Sequence, residues 1–284
     1  MVESWDVAND LPQLDVRDLM HDEREELVSL LASLTEDDWR RVAVGSWDVH
    51  AIALHLLGND IGRIRNGWSG IREGSGAEMN YAALTEKIER DNEEWVRAAR
   101  PTPAELMPQL LFASGKAVDA SLIDVDLNAP GVPVGWTGSG LSPAWLDIAR
   151  EYTERWMHHQ QIRDAIGQPG LTDRRWMHPV LRAFLLSMPR AYDQVEAPEG
   201  TTVRIVVTGS AGGDWYLRRE ARRWRLIEDA TSFAAEVRIP EELAWRLFVR
   251  LVPPDEALPL IQRTGPARLC EPACRAVAVM TSTA

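Results

Sequence analysis

The apolar residues of this chain keep two different periods, and the change from one to the other constrains its fold more than any other feature. Up to Gly167, apolar side chains return every three or four residues, the period of helices with one buried face. From Thr202 they alternate, and Thr202-Val-Arg-Ile-Val-Val-Thr208 is also β-branched, as a strand should be. Strands that follow a run of helices predict separate layers. We expect an all-α helix bundle with a crossover over 1–170, a linking helix over 171–199, and a small α+β domain with an antiparallel sheet over 200–284. A length of 284 residues suits two domains. Charge divides at the same place: residues 1–170 carry 15 basic and 29 acidic groups, and the remainder 16 and 14.

The helices can be placed by their stripes and breakers. Leu19, Glu23, Leu27, Leu30, Leu31 and Leu34 mark a helix over 16–34, followed by a capping box in Thr35-Glu-Asp-Asp38. Ser46 is a suitable N-cap for a second helix over 47–66, with Val49, Ile52, Ala53, Leu56, Leu57, Ile61 and Ile64 as its core stripe and Gly67 as its stop. Residues 68–79 read as a loop. A third helix, 80–99, carries Leu84, Ile88, Trp95 and Val96 on one side and ends before Pro101 and Pro103, after which a further helix runs to about 124. A Gly- and Pro-rich loop covers 126–142, and Ser142-Pro143 opens a helix to Ile166, with Ser as N-cap and Pro at its first position. One more helix is expected over 172–195. Beyond the first strand, Gly209, Gly212 and Gly213 supply a turn. Trp215-Tyr-Leu, Trp224-Arg-Leu-Ile and Ala235-Glu-Val-Arg-Ile read as strands, Pro240 opens a helix, and Cys270 to Met280 reads as the last one.

Composition excludes several classes. A net charge of -12 argues against a broadly basic chain and so against a nucleic-acid partner, because phosphate binding wants clustered positive charge. No apolar run approaches the roughly 20 residues that span a bilayer, so no membrane partner is expected. The opening Met-Val-Glu-Ser-Trp-Asp lacks the basic and apolar regions of a secretory signal, and the expected compartment is the cytoplasm. Cys270 and Cys274 make no disulfide framework and read as small core residues. Of the 31 basic residues only Lys87 and Lys116 are lysine, a bias we read as GC-rich codon usage.

Two histidines stand out. His55 lies at the edge of the second helix's apolar stripe, and His158 follows Glu154 by four residues. Asp147, Glu151, Glu154, His158 and Gln161 are spaced four, three, four and three apart and therefore share one helix face. That stripe fits two readings. As a solvated face, it makes Glu154 and His158 an exposed i,i+4 pair. The interleaved Trp156 and Met157 point instead to burial, where a carboxylate and an imidazole need partners such as a metal. Two imidazoles and one carboxylate from facing helices then form a ligand set with positions left for water or substrate. His50 is about 140° around the helix from His55, and His159 is about 100° from His158, so His159 is the alternative ligand. His21 and His178 read as surface or capping residues.

The segment Trp47-Asp-Val-His-Ala-Ile-Ala-Leu-His55-Leu-Leu-Gly58 resembles the second-helix signature of the DinB-like metalloenzymes, in the branch named for mycothiol-dependent maleylpyruvate isomerase. Glu154-Arg-Trp-Met-His158-His-Gln-Gln-Ile-Arg-Asp-Ala165 resembles the fourth-helix signature of that branch. With Asp38-Trp39 the resemblance spans about 14–167. Gly213-Asp-Trp-Tyr-Leu, Trp245-Arg-Leu and the closing helix to Met280 resemble the small sterol-carrier-type α+β domain that often follows such a bundle.

The resemblance implies a four-helix bundle with a crossover and a divalent metal, usually zinc, held by His55, Glu154 and His158. It also implies a low-molecular-weight thiol as cosubstrate: mycothiol in actinobacteria, to which the arginine bias fits, and bacillithiol or glutathione elsewhere. The implied activity is a thiol-dependent transferase or cis–trans isomerase in which the metal presents the thiol as thiolate to a small electrophile. Asp147, Glu151 and Gln161 are then candidates to orient ligands or water, against their reading as solvated polar residues. The branch also uses an arginine for thiol or substrate contact. Arg218, Arg219, Arg222, Arg223 and Arg225 crowd one hairpin, where exposed strand arginines are the commoner arrangement. Two other classes compete: a non-catalytic metal- or ligand-binding protein, and a zinc-water hydrolase with Glu151 as base. A zincin is disfavoured, since no His-Glu-x-x-His occurs. The expected partners are small molecules, with the chain a monomer or homodimer.

Overall fold

The computed structural model describes residues 13–68, 81–137 and 142–278. By compactness the chain forms two units. One comprises Asp15–Val132 and Pro143–Leu171, and the other the described residues of Met1–Leu14, Pro133–Ser142 and Thr172–Ala284. Among the described residues no helix is long and apolar enough to cross a membrane.

The first unit is built from α1 (Arg17–Ala32), α2 (Val49–Asn66), α3 (Tyr81–Ala99), α4 (Met107–Leu122) and α5 (Ala144–Ile166). Helices α1 and α2 each pack on both α4 and α5, which makes a four-helix core, and α3 packs on α2. The Thr35 hydroxyl accepts from the Asp38 N–H at 3.2 Å, and the Asp38 carboxylate accepts from the Thr35 N–H at 3.1 Å, so the expected capping box forms. Gly67, at φ 71°, ends α2, and Gly167, at φ 70°, ends α5, both in a region that glycine enters without penalty.

Two expected N-caps are not used. Trp47–Asp48 pairs with Val42–Val44 in a short antiparallel ribbon, which holds this backbone extended. Helix α2 therefore starts at Val49, and Asp48, not Ser46, accepts the Ala51 N–H at 2.8 Å. Ser142 accepts from the Val134 N–H at 3.0 Å, and α5 begins after Pro143 with no side-chain cap. Residues 69–79 of the expected 68–79 loop and the side chain of Leu84 lie outside the described residues.

The larger correction concerns α2. Its first half, Val49 to Leu56, is buried all round. In its second half the expected core residues Ile61 and Ile64 are 42% and 46% exposed, while Asp60 and Arg63 are buried at 0% and 4%. Asp60 faces inward to receive Arg24 of α1 at 2.7 Å and Arg155 of α5 at 2.6 Å, both on Oδ1, with the Ser114 hydroxyl donating to Oδ2. Arg63 faces inward to grip α5. Its Nη1 and Nη2 donate to the two oxygens of Asp147 at 2.7 Å each, and its Nε donates to Glu151 at 3.0 Å. The guanidinium also lies 4.4 Å from the Trp68 ring centre. Charges removed from water persist only when paired this closely. The polar stripe of α5 is thus no solvated face: Asp147, Glu151, His158 and Gln161 are all buried.

In the second unit, α6 (Arg174–Leu185) is followed by a separate short turn, Met188–Ala191, where one helix was expected. Pro189 lacks the N–H that continuation would need. The sheet comprises β1 (Thr202–Thr208), β2 (Gly213–Arg219), β3 (Trp224–Ile227), β4 (Ala235–Pro240) and β5 (Gln262–Thr264), in spatial order β3-β2-β1-β4-β5. It is largely antiparallel, but β1 and β4 pair in parallel, from Val203 opposite Ala235 to Thr208 opposite Pro240. Strand β5 was not anticipated, since it is polar and exposed throughout and shows no alternation. Helices α7 (Glu241–Phe248) and α8 (Ala267–Cys274) complete the unit, and α8 ends at Cys274, capped by Arg275, rather than running to Met280. Its core includes Phe184 against Phe248 and Tyr192 against Trp224, with the Tyr192 hydroxyl donating to Leu269 O at 2.6 Å. Cys270 and Cys274 are buried free thiols, and burial pushes Cys274 up to about 11, so neither is poised to react.

Two measurements test this packing. A Cβ at Gly58 would lie 2.5 Å from Trp95 Nε1, which donates to Leu54 O at 2.8 Å. Gly58→Ala should therefore lose about 1–3 kcal/mol, seen as a lower urea midpoint, whereas Gly62→Ala, whose Cβ meets open space, should hold or raise it. The second test is acid. Burial alone would raise the Glu151 carboxyl, but Arg63, Arg150 and Arg155 outweigh it and hold it at about 2. A carboxyl depressed by folding contributes stability that is full above its unfolded value and is lost as pH falls through the folded one. This group should cost the fold about 3 kcal/mol between pH values of about 4.5 and about 2. Urea unfolding across that range should show the slope in the wild type and lack that part of it in Glu151→Gln.

Candidate metal centre

Helix α2 brings His55 to the cluster, and α5 brings Glu154 and His158, one turn apart. Glu154 Oε1 lies 3.2 Å from His55 Nε2 and 3.2 Å from His158 Nε2. The two imidazole rings meet edge to face, with centres 4.8 Å apart. One ligand atom from each residue lies within 4.8 Å of the others. His55 and His158 are 3% and 8% exposed at the side chain, and Glu154 is 26% exposed, so the cluster opens to solvent at its carboxylate.

The neighbours set the protonation. Gln161 Oε1 lies 2.7 Å from His158 Nδ1 and, as an amide oxygen, only accepts. His158 Nδ1 therefore donates to Gln161, and Nε2 is the ring nitrogen that faces the Glu154 carboxylate. Asn59 donates its amide to His55 Nε2 at 3.2 Å. Burial holds His55 below its ordinary value and so neutral, although Glu154 pulls the other way. Burial would raise Glu154, but its hydrogen bonds to His158 and His55 hold it well below the carboxylate range. An ionised carboxylate thus faces one ring nitrogen from each histidine. Facing lone pairs repel unless a proton or cation lies between them. Tetrahedral ligands about 2.0–2.2 Å from one cation stand about 3.4 Å apart, close to the 3.2 Å separations here. The donor set fits a divalent metal of the zinc class.

The indole of Trp47 borders both histidines, with its ring centre 5.1 Å from His55 and stacked 6.4 Å from His158. It stands there because the Val42–Val44 ribbon packs on α5. Of the polar stripe, Gln161 touches a cluster member, whereas Asp147 and Glu151 engage Arg63. Glu151 also receives Arg150 at 2.8 Å, so its carboxylate is engaged by two guanidiniums. His159 turns away to Glu23 at 2.8 Å, and His50 packs edge-on against Trp39 with ring centres 6.0 Å apart. His21 pairs with Asp119 at 2.8 Å and forms, with Asp22 and Glu25, a second, more exposed group of possible ligands. In the second unit His178 bonds Ala211 O at 2.8 Å. There Arg218 stands opposite Arg225 across the β2–β3 pair, and Arg219 stands opposite Trp224.

Neither Asn59 nor Trp47 was singled out from the sequence. Asn59 carried a usable signal, one turn after His55 on the same face. Trp47 carried none, because a ribbon places it.

The family model described as the mycothiol maleylpyruvate isomerase N-terminal domain matches residues 20–163. Two solved structures of the mycothiol-dependent maleylpyruvate isomerase, one a histidine-to-alanine mutant, align with 87% of this chain and 91% of theirs. They share 12% and 13% identity with it, at TM-scores of 0.48 and 0.45. No curated protein matches. Since the matched residues make up half of the chain and hold all three members of the cluster, the chain belongs to the mycothiol maleylpyruvate isomerase N-terminal domain family.

Proposed function

We propose that this protein is a divalent-metal enzyme that uses mycothiol to isomerise or S-conjugate a small electrophile, with the metal, zinc by its donor set, held by His55, Glu154 and His158. The reading is carried by one observation: a carboxylate facing two imidazole nitrogens at 3.2 Å, one of which has its proton held on the far side by Gln161. A metal bound there supplies Lewis acidity, which turns a thiol of ordinary pKa, roughly 8.5, into a thiolate at neutral pH. Family membership supports mycothiol as the thiol.

The chain's own residues have distinct tasks. Glu154 brings the single negative charge of the set, and its partial exposure leaves the cluster reachable. Gln161 keeps the His158 proton on Nδ1, and Asn59 fixes the His55 ring. Trp47 walls the site with a large apolar surface. On this proposal 1–170 carry the chemistry, and 200–284, linked through 171–199, form a separate domain.

The test is metal analysis of the purified protein together with mass spectrometry of mycothiol adducts on a panel of electrophiles. Wild type should retain about one divalent ion per chain and form or isomerise adducts, and His55→Ala and Glu154→Ala should lose both. Metal without thiol consumption would leave a binding protein, and hydrolysis products without thiol would leave a hydrolase. Gln161→Leu should bind metal about 10- to 100-fold more weakly, as the loss of a ligand-orienting hydrogen bond predicts, measured by chelator competition.

A further inference from the structure

We infer that Arg63 is a positioning residue: its three-point grip on Asp147 and Glu151 sets the register of α2 against α5, and with it the spacing of His55 from Glu154 and His158. The inference rests on the metal reading above.

The two helices meet along one polar line with a rung at each end. At one end His55 meets Glu154 and His158, and at the other Arg63 meets Asp147 and Glu151. On α2 the rungs are eight residues apart, about 12 Å, and on α5 Glu154 and Asp147 are seven apart, about 10.5 Å. The α2 positions ascend while those of α5 descend, so the helices run antiparallel and each rung limits sliding at the other. A slip of one residue moves a side chain about 1.5 Å along the axis and about 100° around it. Metal–ligand distances tolerate only about 0.2 Å.

Nothing apolar on this part of α2 could set that register. Ile61 and Ile64 face outward, and apolar contact is in any case non-directional. The Arg63 fork is directional. Two parallel 2.7 Å bonds to Asp147 and a third, 3.0 Å bond to Glu151 define one axial position and one rotation. The Trp68 ring, 4.4 Å from the guanidinium, backs it, and Arg150 holds Glu151 at 2.8 Å. Asp60 with Arg155 forms a single-point rung between the two ends, at 2.6 Å. Arg63 and Asp147 lie about two helical turns from His55 and Glu154 along their own helices, and Glu151 about one, so the grip acts on the cluster through the backbone of both helices.

The experiment loads the full-length protein with Co(II), whose visible absorption reports ligand geometry, and measures Co(II) affinity by chelator competition beside urea stability. Arg63→Lys keeps the charge but loses the fork. The triple variant Arg63→Met, Asp147→Asn, Glu151→Gln removes all three charges of the grip, leaving Arg155 its bond to Asp60 and the quarter-exposed Arg150 to solvent, so that stability and register come apart. Both should bind Co(II) about 10- to 100-fold more weakly than wild type and show a shifted visible band, and the triple variant should do so while its urea midpoint stays near that of wild type. Wild-type affinity and spectrum in folded Arg63→Lys and triple variants would make Arg63 a stability residue only and overturn the inference. His55→Ala distinguishes the other failure. If wild type binds no Co(II), or binds it as tightly as His55→Ala does, the metal reading fails and the inference falls with it.

Discussion

The polar line between α2 and α5 is the feature on which the rest of the bundle depends. Asp60, Arg63, Asp147 and Glu151 are buried, and each is an ion that water would otherwise hold. Bringing such groups inside costs several kcal/mol apiece unless every charge meets a close opposite partner. That requirement makes the interface directional. Leucine ridges tolerate small shifts, whereas a guanidinium that must meet two carboxylates does not. The exposed Ile61 and Ile64 are the other side of this arrangement, since the helix rotates to satisfy its charges rather than its isoleucines.

The candidate centre uses the same frame for a different purpose. Three buried acids of the bundle meet guanidiniums: Asp60 meets Arg24 and Arg155, Asp147 meets Arg63, and Glu151 meets Arg63 and Arg150, while Glu23 meets the single imidazole of His159. Glu154 meets two imidazoles instead, one with its proton held on the far side by Gln161. Glu154 differs from those acids in meeting two imidazoles from two helices and in being partly exposed, which is the arrangement the proposed metal would use.

Much of this was readable from sequence. The change of period gave a helical part followed by a part with strands, and the four-and-three spacing of Asp147 through Gln161 put one stripe on one helix face. The resemblance of the segments around His55 and Glu154–His158 singled out the three residues that the fold brings together. The misreadings share a cause. Ser46 and Ser142 have good capping chemistry, but neighbouring backbone uses those positions differently, Trp47–Asp48 in a ribbon and Ser142 as partner to Val134. Strand β5 is polar throughout and is a strand only because β4 offers it an edge. The parallel pairing of β1 with β4 is a matter of chain path, on which local alternation is silent.

Sequence by itself determined what is local: helical and extended periods, a capping box, glycine stops, and the family motifs of α2 and α5. Only the tertiary structure decided which way each face turned. A stripe of Asp, Glu, His and Gln on α5 is equally a solvated surface or a buried seam until Asp60 and Arg63 of another helix are placed against it. Spacing along one helix fixes angles around its axis, but burial depends on what a second helix, distant in sequence, presents to that face.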